Sequence, residues 1–157
     1  MVSIRNKALQ YLGRRDHSRQ ELAQKLALAY SDVSAEEINA VLDDFIERGW
    51  QSDARFAEQW VYFRSQRYGQ QRLRHELQEK GVNAELIASA LLQAIDNEID
   101  TARQVWQKKF NAAPVDHQAR CKQLRYLASR GFSLNVIYQV VGEADEFDGY
   151  SDGIDSI

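Results

Sequence analysis

The 157-residue chain holds one cysteine, Cys121, and one proline, Pro114. A lone thiol closes no intrachain disulfide and supplies no thiolate set for a structural metal, and it suits a reducing compartment. A single proline leaves the chain nearly free of obligatory helix breaks. Strand-like alternation of apolar and polar residues is absent throughout. The most apolar stretch, "LIASALLQAI", is too short for a bilayer. The opening "MVSIRNKALQYLG" lacks the apolar centre of a signal peptide. These absences predict a soluble, cytoplasmic protein with no membrane contact. There is no G-x-G-x-x-G, no Walker-type loop, and no H-x-x-x-H or H-E-x-x-H spacing among His17, His75 and His117. No metal site, cofactor or catalytic centre is therefore expected.

What is present is charge and helical periodicity. The net charge is −3, but residues 143–157 carry six acids and no Lys or Arg, leaving 17 acids against 20 bases elsewhere. A mildly basic body suits a nucleic acid or an acidic protein face as partner, while the acidic segment reads most simply as solvated. The 44% hydrophobic content is enough for a core. Ile38, Val41, Leu42, Phe45 and Ile46 follow the i, i+3, i+4, i+7, i+8 pattern of one buried helical stripe. Ile87, Ala90, Leu91, Ala94 and Ile95 repeat it 49 residues later, and Ile137, Val140 and Val141 begin it again 50 residues further on. Ser34, Asn83 and Ser133 stand at equivalent places as N-caps. Lys80–Gly81 and Arg130–Gly131 read as matching C-terminal turns, a cation followed by a left-handed glycine.

Further helices are marked by Ala8 and Leu12, by Phe56, Trp60 and Phe63, and by Ala102, Val105, Trp106 and Phe110. The prediction is an all-α protein: an elongated, curved array of three tandem three-helix units, about nine helices in all. The units span 1–50, 51–97 and 98–144, and an acidic segment follows at 145–157. The stripe Phe56–Trp60–Phe63 reads as core. Trp50 and Trp106 are left open between packing and exposed anchors.

Asp16, His17 and Ser18 are the three residue types of a hydrolase relay, but consecutive side chains diverge and cannot form that line. Ser18-x-x-Glu21 is better explained as a capping box that starts a helix, as is Ser34-x-x-Glu37. Asp43–Asp44 reads as a solvated acidic face.

Two stretches carry a family likeness. In "LGRRDHSRQELAQKL" the positions Arg15, His17, Ser18, Glu21, Leu22, Lys25 and Leu26, and in "FAEQWVYFRSQRYGQQRLRHELQEKGV" the positions Phe56, Ala57, Arg64, Arg67, Gly69, Leu73, Glu76, Leu77, Lys80, Gly81 and Val82, resemble the motif runs of the RecX family, regulators of the RecA recombinase. "GWQSD" departs from the family's usual Gly-Tyr-Leu-Asp-Asp, and the third unit matches loosely. The resemblance implies a bent helical-repeat protein, monomeric and without catalytic residues. It would bind RecA nucleoprotein filaments and suppress strand exchange, ATP hydrolysis and co-protease activity, so regulating recombination, DNA repair and the SOS response. Arg15, His17, Arg64, Arg67, Tyr68, Arg72, Arg74 and Lys80 are the candidate partner-binding residues. Arg72–Glu76 and Glu76–Lys80 are i, i+4 pairs, so part of that charge is expected to be satisfied internally. The remainder faces either an acidic RecA surface or DNA phosphates.

The rival readings are a helix-turn-helix DNA reader and a generic helical-repeat scaffold. "QQRLRHELQEKGVNAELIASAL" has the two-helix outline of the former. Its second helix has no Lys or Arg to reach bases or phosphates, which disfavours sequence-specific binding and leaves weak nonspecific affinity to the more basic helices.

Overall fold

A computed structural model describes residues 2–144; the acidic segment read at 145–157 lies outside the described residues. Nine helices and no strand occur among them: α1 Ile4–Arg14, α2 Arg19–Ala29, α3 Ala35–Glu47, α4 Asp53–Arg64, α5 Gln70–Glu79, α6 Ala84–Ile95, α7 Glu98–Lys109, α8 His117–Ser129 and α9 Leu134–Ala144. The chain gathers into two compact units. The first comprises residues up to Trp60 together with Glu76–Ala90, and the second comprises Val61–His75 and the described residues from Leu91 onward.

In the first unit the expected stripe closes the core. Ile38, Leu42 and Phe45 of α3 pack with Leu22 and Leu26 of α2 and Ala8 of α1. Phe56, Ala57, Leu77, Val82, Ile87 and Ala90 are also buried there. In the second unit Ile137, Val140 and Val141 of α9 pack with Ala102, Leu127 and Phe132, flanked by Trp106 and Tyr126.

Capping fixes where these helices begin. The Ser18 and Ser34 hydroxyls accept the Glu21 and Glu37 amides, and each glutamate accepts the serine amide in return. Asn83 Oδ1 accepts from the Leu86 amide at 2.9 Å and Ser133 Oγ from the Val136 amide at 3.4 Å. Gly81 and Gly131 take φ of +84° and +89°, the left-handed conformation that glycine alone adopts freely. The repeat extends to a tryptophan latch. Trp60 Nε1 donates to Glu76 Oε1 at 2.9 Å in the first unit, and Trp106 Nε1 donates to Gln123 Oε1 at 2.8 Å in the second.

The aromatic stripe read on α4 is only partly core. Phe56 is 3% exposed, but Phe63 is 65% exposed and meets Tyr62 edge-on at 5.1 Å between centroids. Trp50, 41% exposed, lies edge-on to Phe45 with the Arg5 and Arg48 guanidiniums over its ring. The Asp43–Asp44 pair is bonded rather than merely solvated. Arg19 reaches Asp43 at 2.7 Å, and Arg5 and Arg48 reach Asp44 at 2.8 and 2.9 Å, which hold the Asp44 carboxyl below its ordinary range.

Candidate functional site

The family-like residues gather at two dockings that are built alike, one inside each unit. In the first unit the turn after α5 sits on the N-terminus of α2. The Ser18 hydroxyl donates to the Lys80 carbonyl at 2.7 Å, and Gln20 Nε2 donates to the Glu79 carbonyl at 2.7 Å. A Cβ on Gly81 would lie 2.5–2.8 Å from the Gln20 side chain, so the close approach requires glycine. In the second unit the turn after α8 sits on the N-terminus of α5. The Gly69 amide donates to the Arg130 carbonyl at 2.8 Å, the Gln71 amide to the Gly131 carbonyl at 3.1 Å, and Arg72 to the Ser129 carbonyl at 3.3 Å. Here a Cβ on Gly131 would stand 2.2 Å from Arg72 Cβ, and one on Gly69 2.4 Å from the Gly131 oxygen. Gly69, Gln71 and Arg72 thus occupy the places of Ser18, Gln20 and Glu21, 51 residues on.

The chemistry of the two dockings differs. The first is centred on Glu21, whose side chain is 8% exposed. Arg15 grips both carboxylate oxygens at 3.1 and 3.2 Å, Lys80 adds a bond at 2.9 Å, and the Ser18 amide a fourth at 3.1 Å. Burial opposes the charge, but the bonds from Arg15, Lys80 and Ser18 outweigh it and lower the pKa to about 2. His17, 2% exposed, bonds the Arg15 carbonyl through Nδ1 and Lys25 Nζ through Nε2, each at 3.0 Å. An ammonium can only donate, so Nε2 accepts and the proton resides on Nδ1. Burial lowers the His17 pKa, and the neighbouring Arg15 and Lys25 charges lower it further. Gln51 Nε2 closes the site by donating to the His17 carbonyl at 3.1 Å.

The second docking collects cations around tyrosines. The Tyr68 ring has the Arg72, Arg64 and Arg130 guanidiniums at 4.2, 4.6 and 5.0 Å from its centroid. Arg130 also donates to the Tyr126 hydroxyl at 2.9 Å, and Lys109 lies 5.3 Å from that ring. Glu98, 8% exposed, is held by the Gln70 side-chain amide at 3.1 Å.

The structure therefore divides the eight candidate residues. Arg15, His17 and Lys80 surround the α2 N-terminus in the first unit, with both cations engaged by Glu21 and the imidazole buried. Arg64, Tyr68 and Arg72 share the ring cluster of the second unit, and Arg67 and Arg74 are exposed. Sequence reasoning passed over Glu21 as the acceptor of two cations, because it was already explained as a cap partner. It also passed over Arg130, Tyr126 and Lys109, although Arg130 stands 50 residues after Lys80 in the same turn.

A cleft of about 460 Å³ in the second unit is lined by Tyr62, Ser65, Gln66, Gln93, Asn97 and Thr101 among others, and it presents amides and hydroxyls with one carboxylate, Asp100. Among the described residues no group of three His, Cys, Asp or Glu is placed to hold a metal ion, and no helix is long and apolar enough to cross a membrane.

Comparison with known proteins gives a consistent answer. Three family models match in order: RecX, first three-helix domain, over residues 5–45; second three-helix domain, over 52–91; and third three-helix domain, over 96–141. The chain is 42% identical over 144 residues to the regulatory protein RecX of Leptothrix cholodnii, covering 92% of this chain and 90% of that one. It is 38% identical over 150 residues to the same-named protein of Chromobacterium violaceum, covering 96% of each. These relatives carry the name of regulatory proteins, not of enzymes. The crystal structure of RecX from Lactobacillus salivarius superposes with a TM-score of 0.78 at 23% identity, covering 91% of this chain and 95% of that one, and shares the fold.

Proposed function

The chain belongs to the RecX family, and from that membership we propose that it binds RecA nucleoprotein filaments in the cytoplasm. There it restrains strand exchange, ATP hydrolysis and co-protease activity, and so regulates recombination and the response to DNA damage. It acts by binding, as a monomer and without a cofactor. The observation that carries this reading is the coincidence of the family's motif residues with the two dockings. Arg15, His17, Glu21 and Lys80 fix the turn after α5 against α2. The second docking presents Arg64, Tyr68 and Arg72 beside the exposed Arg67 and Arg74. In this division Arg67 and Arg74 meet the filament's acidic surface directly, while Arg15, His17 and Lys80 hold the frame.

Direct reading of DNA sequence is disfavoured by charge. The third helix of each repeat, α3, α6 and α9, contains no Lys or Arg, so a major-groove docking would gain neither base contacts nor phosphate neutralisation. Weak, salt-sensitive DNA affinity belongs to α5 and α8, which carry Arg72, Arg74, Arg120, Lys122 and Arg125. The test is RecA's single-strand-dependent ATPase, with co-sedimentation of the protein on RecA filaments and on naked DNA in parallel. Slowed hydrolysis with filament binding well above naked-DNA binding supports the proposal. Unchanged hydrolysis at saturating protein, or equal binding to naked DNA, removes it.

A further inference from the structure

The two dockings share a backbone plan but not a charge balance. In the first, the Lys80 ammonium reaches the Glu21 carboxylate at 2.9 Å, with Arg15 on the same group at 3.1 Å. In the second, Arg130 stands 50 residues after Lys80 in the equivalent turn, and Arg72 occupies the place of Glu21. Among the described residues neither Arg130 nor Lys109 has an ion-pair partner. Their contacts are the Tyr68 and Tyr126 rings and the Tyr126 hydroxyl. Glu98, buried nearby, bonds the Gln70 amides instead of either cation. A ring quadrupole attracts a cation without neutralising it, so both charges remain open to an anion.

The geometry favours carboxylates over nucleic acid. The first docking shows what matches a cation at this turn, and it is a glutamate. The ring faces, on which single-stranded bases would stack, are already taken. Tyr68 has three guanidiniums within 5.0 Å of its centroid, and Tyr126 has Arg130 and Lys109 at 5.3 Å each with Phe110 edge-on at 5.5 Å. Because Arg130 and Lys109 are equally distant from the Tyr126 centroid, they lie at most twice that distance apart. Acidic residues three or four apart on a helix stand about 5–6 Å apart at Cβ, so one acidic turn reaches both.

We propose that Arg130 and Lys109, flanking Tyr126, form a docking surface for an acidic protein segment, with two of its carboxylates seated on the two cations. This rests on the filament reading only in naming the source: the segment then belongs to the filament's protein face and not to its DNA. The surface adds Arg130 and Lys109 to the exposed Arg67 and Arg74 of the same unit.

The test titrates the full chain with poly-L-glutamate and, separately, with oligodeoxythymidylate of matched charge, followed by amide and arginine side-chain NMR. At about 0.1 M salt the Debye length is about 10 Å, so only charges close to the probe respond. The expected result is that poly-L-glutamate binds more tightly than the oligonucleotide and shifts Lys109, Phe110 and Tyr126–Arg130. Lys109→Glu, at an exposed position, should weaken that binding about tenfold through like-charge repulsion. Arg130→Gln, which keeps an amide donor toward Tyr126, should weaken it independently. Shifts that miss the cluster, oligonucleotide binding there of equal strength, or affinity unchanged in both variants overturns the proposal. Poly-L-glutamate binding needs no RecA. If it holds while RecA's ATPase is unaffected, the docking surface stands and the filament reading alone fails. If the ATPase slows while poly-L-glutamate misses the cluster, the docking surface alone fails.

Discussion

Replacing Glu21 by Gln keeps its shape and removes its charge, so the variant isolates what holds the first docking. In the folded chain the carboxyl titrates at about 2, against 4.5 unperturbed. At about 1.4 kcal/mol per pH unit, that difference corresponds to about 3 kcal/mol of stability. Arg15 and Lys80 are 47% and 34% exposed in their side chains, and solvent screening of these two partners lowers the working figure to about 2 kcal/mol. The folded-state pKa lies below the unfolded one. The contribution is therefore fully present above 4.5 and is lost as the pH falls from there toward 2. Urea unfolding of the natural chain and of Glu21→Gln, followed by far-ultraviolet circular dichroism, reads the gap directly. It should be about 2 kcal/mol near neutral pH and should close at the acid end, where the natural residue is itself protonated. A gap that stays constant through the acid range, or none at neutral pH, would refute the argument.

Other outcomes follow from the same geometry. Ser18→Ala removes a cap worth about 1 kcal/mol and strands the Lys80 carbonyl, about 1 kcal/mol more, so equilibrium unfolding should show a loss of about 2 kcal/mol. Gly131→Ala should cost about 2–3 kcal/mol, since left-handed strain adds to a clash with Arg72 backbone. Gly81→Ala carries the same left-handed strain but should cost less, because its clash is with the Gln20 side chain alone and not with backbone, and thermal melts of the pair should rank them in that order. His17 should titrate below 6.5 by NMR, with Nε2 unprotonated at neutral pH. Because its folded-state pKa is depressed, its share of stability is present above 6.5 and lost as pH falls below that value. A His17 that titrates above 6.5 would contradict the buried neutral ring.

The fold was legible because repetition multiplies a weak signal. One apolar stripe is ambiguous, but the same stripe at Ile38, Ile87 and Ile137, each after a capping Ser or Asn, is not. Gly81 and Gly131 declared themselves by following a cation at equivalent places. The candidate site was less legible because its bonds cross long sequence separations. Lys80 reads locally as the partner of Glu76, four residues away, yet its ammonium bonds Glu21, which is 59 residues distant. His17 carries no local mark of burial; the Lys25 and Arg15 contacts that fix its tautomer exist only once the chain has folded. Phe63 fits the helical period of the core but is exposed, since periodicity locates a stripe without saying which end of it the neighbouring helices cover.

Arg67 and Arg74 are the exposed arginines beside the second docking that are proposed to meet the RecA filament. The most direct measurement is co-sedimentation of the Arg67→Glu/Arg74→Glu variant with RecA–single-stranded DNA filaments, beside the natural chain at matched helicity. Binding should fall at least tenfold, about 1.4 kcal/mol, while unfolding stability stays unchanged. Filament affinity equal to that of the natural chain would contradict it.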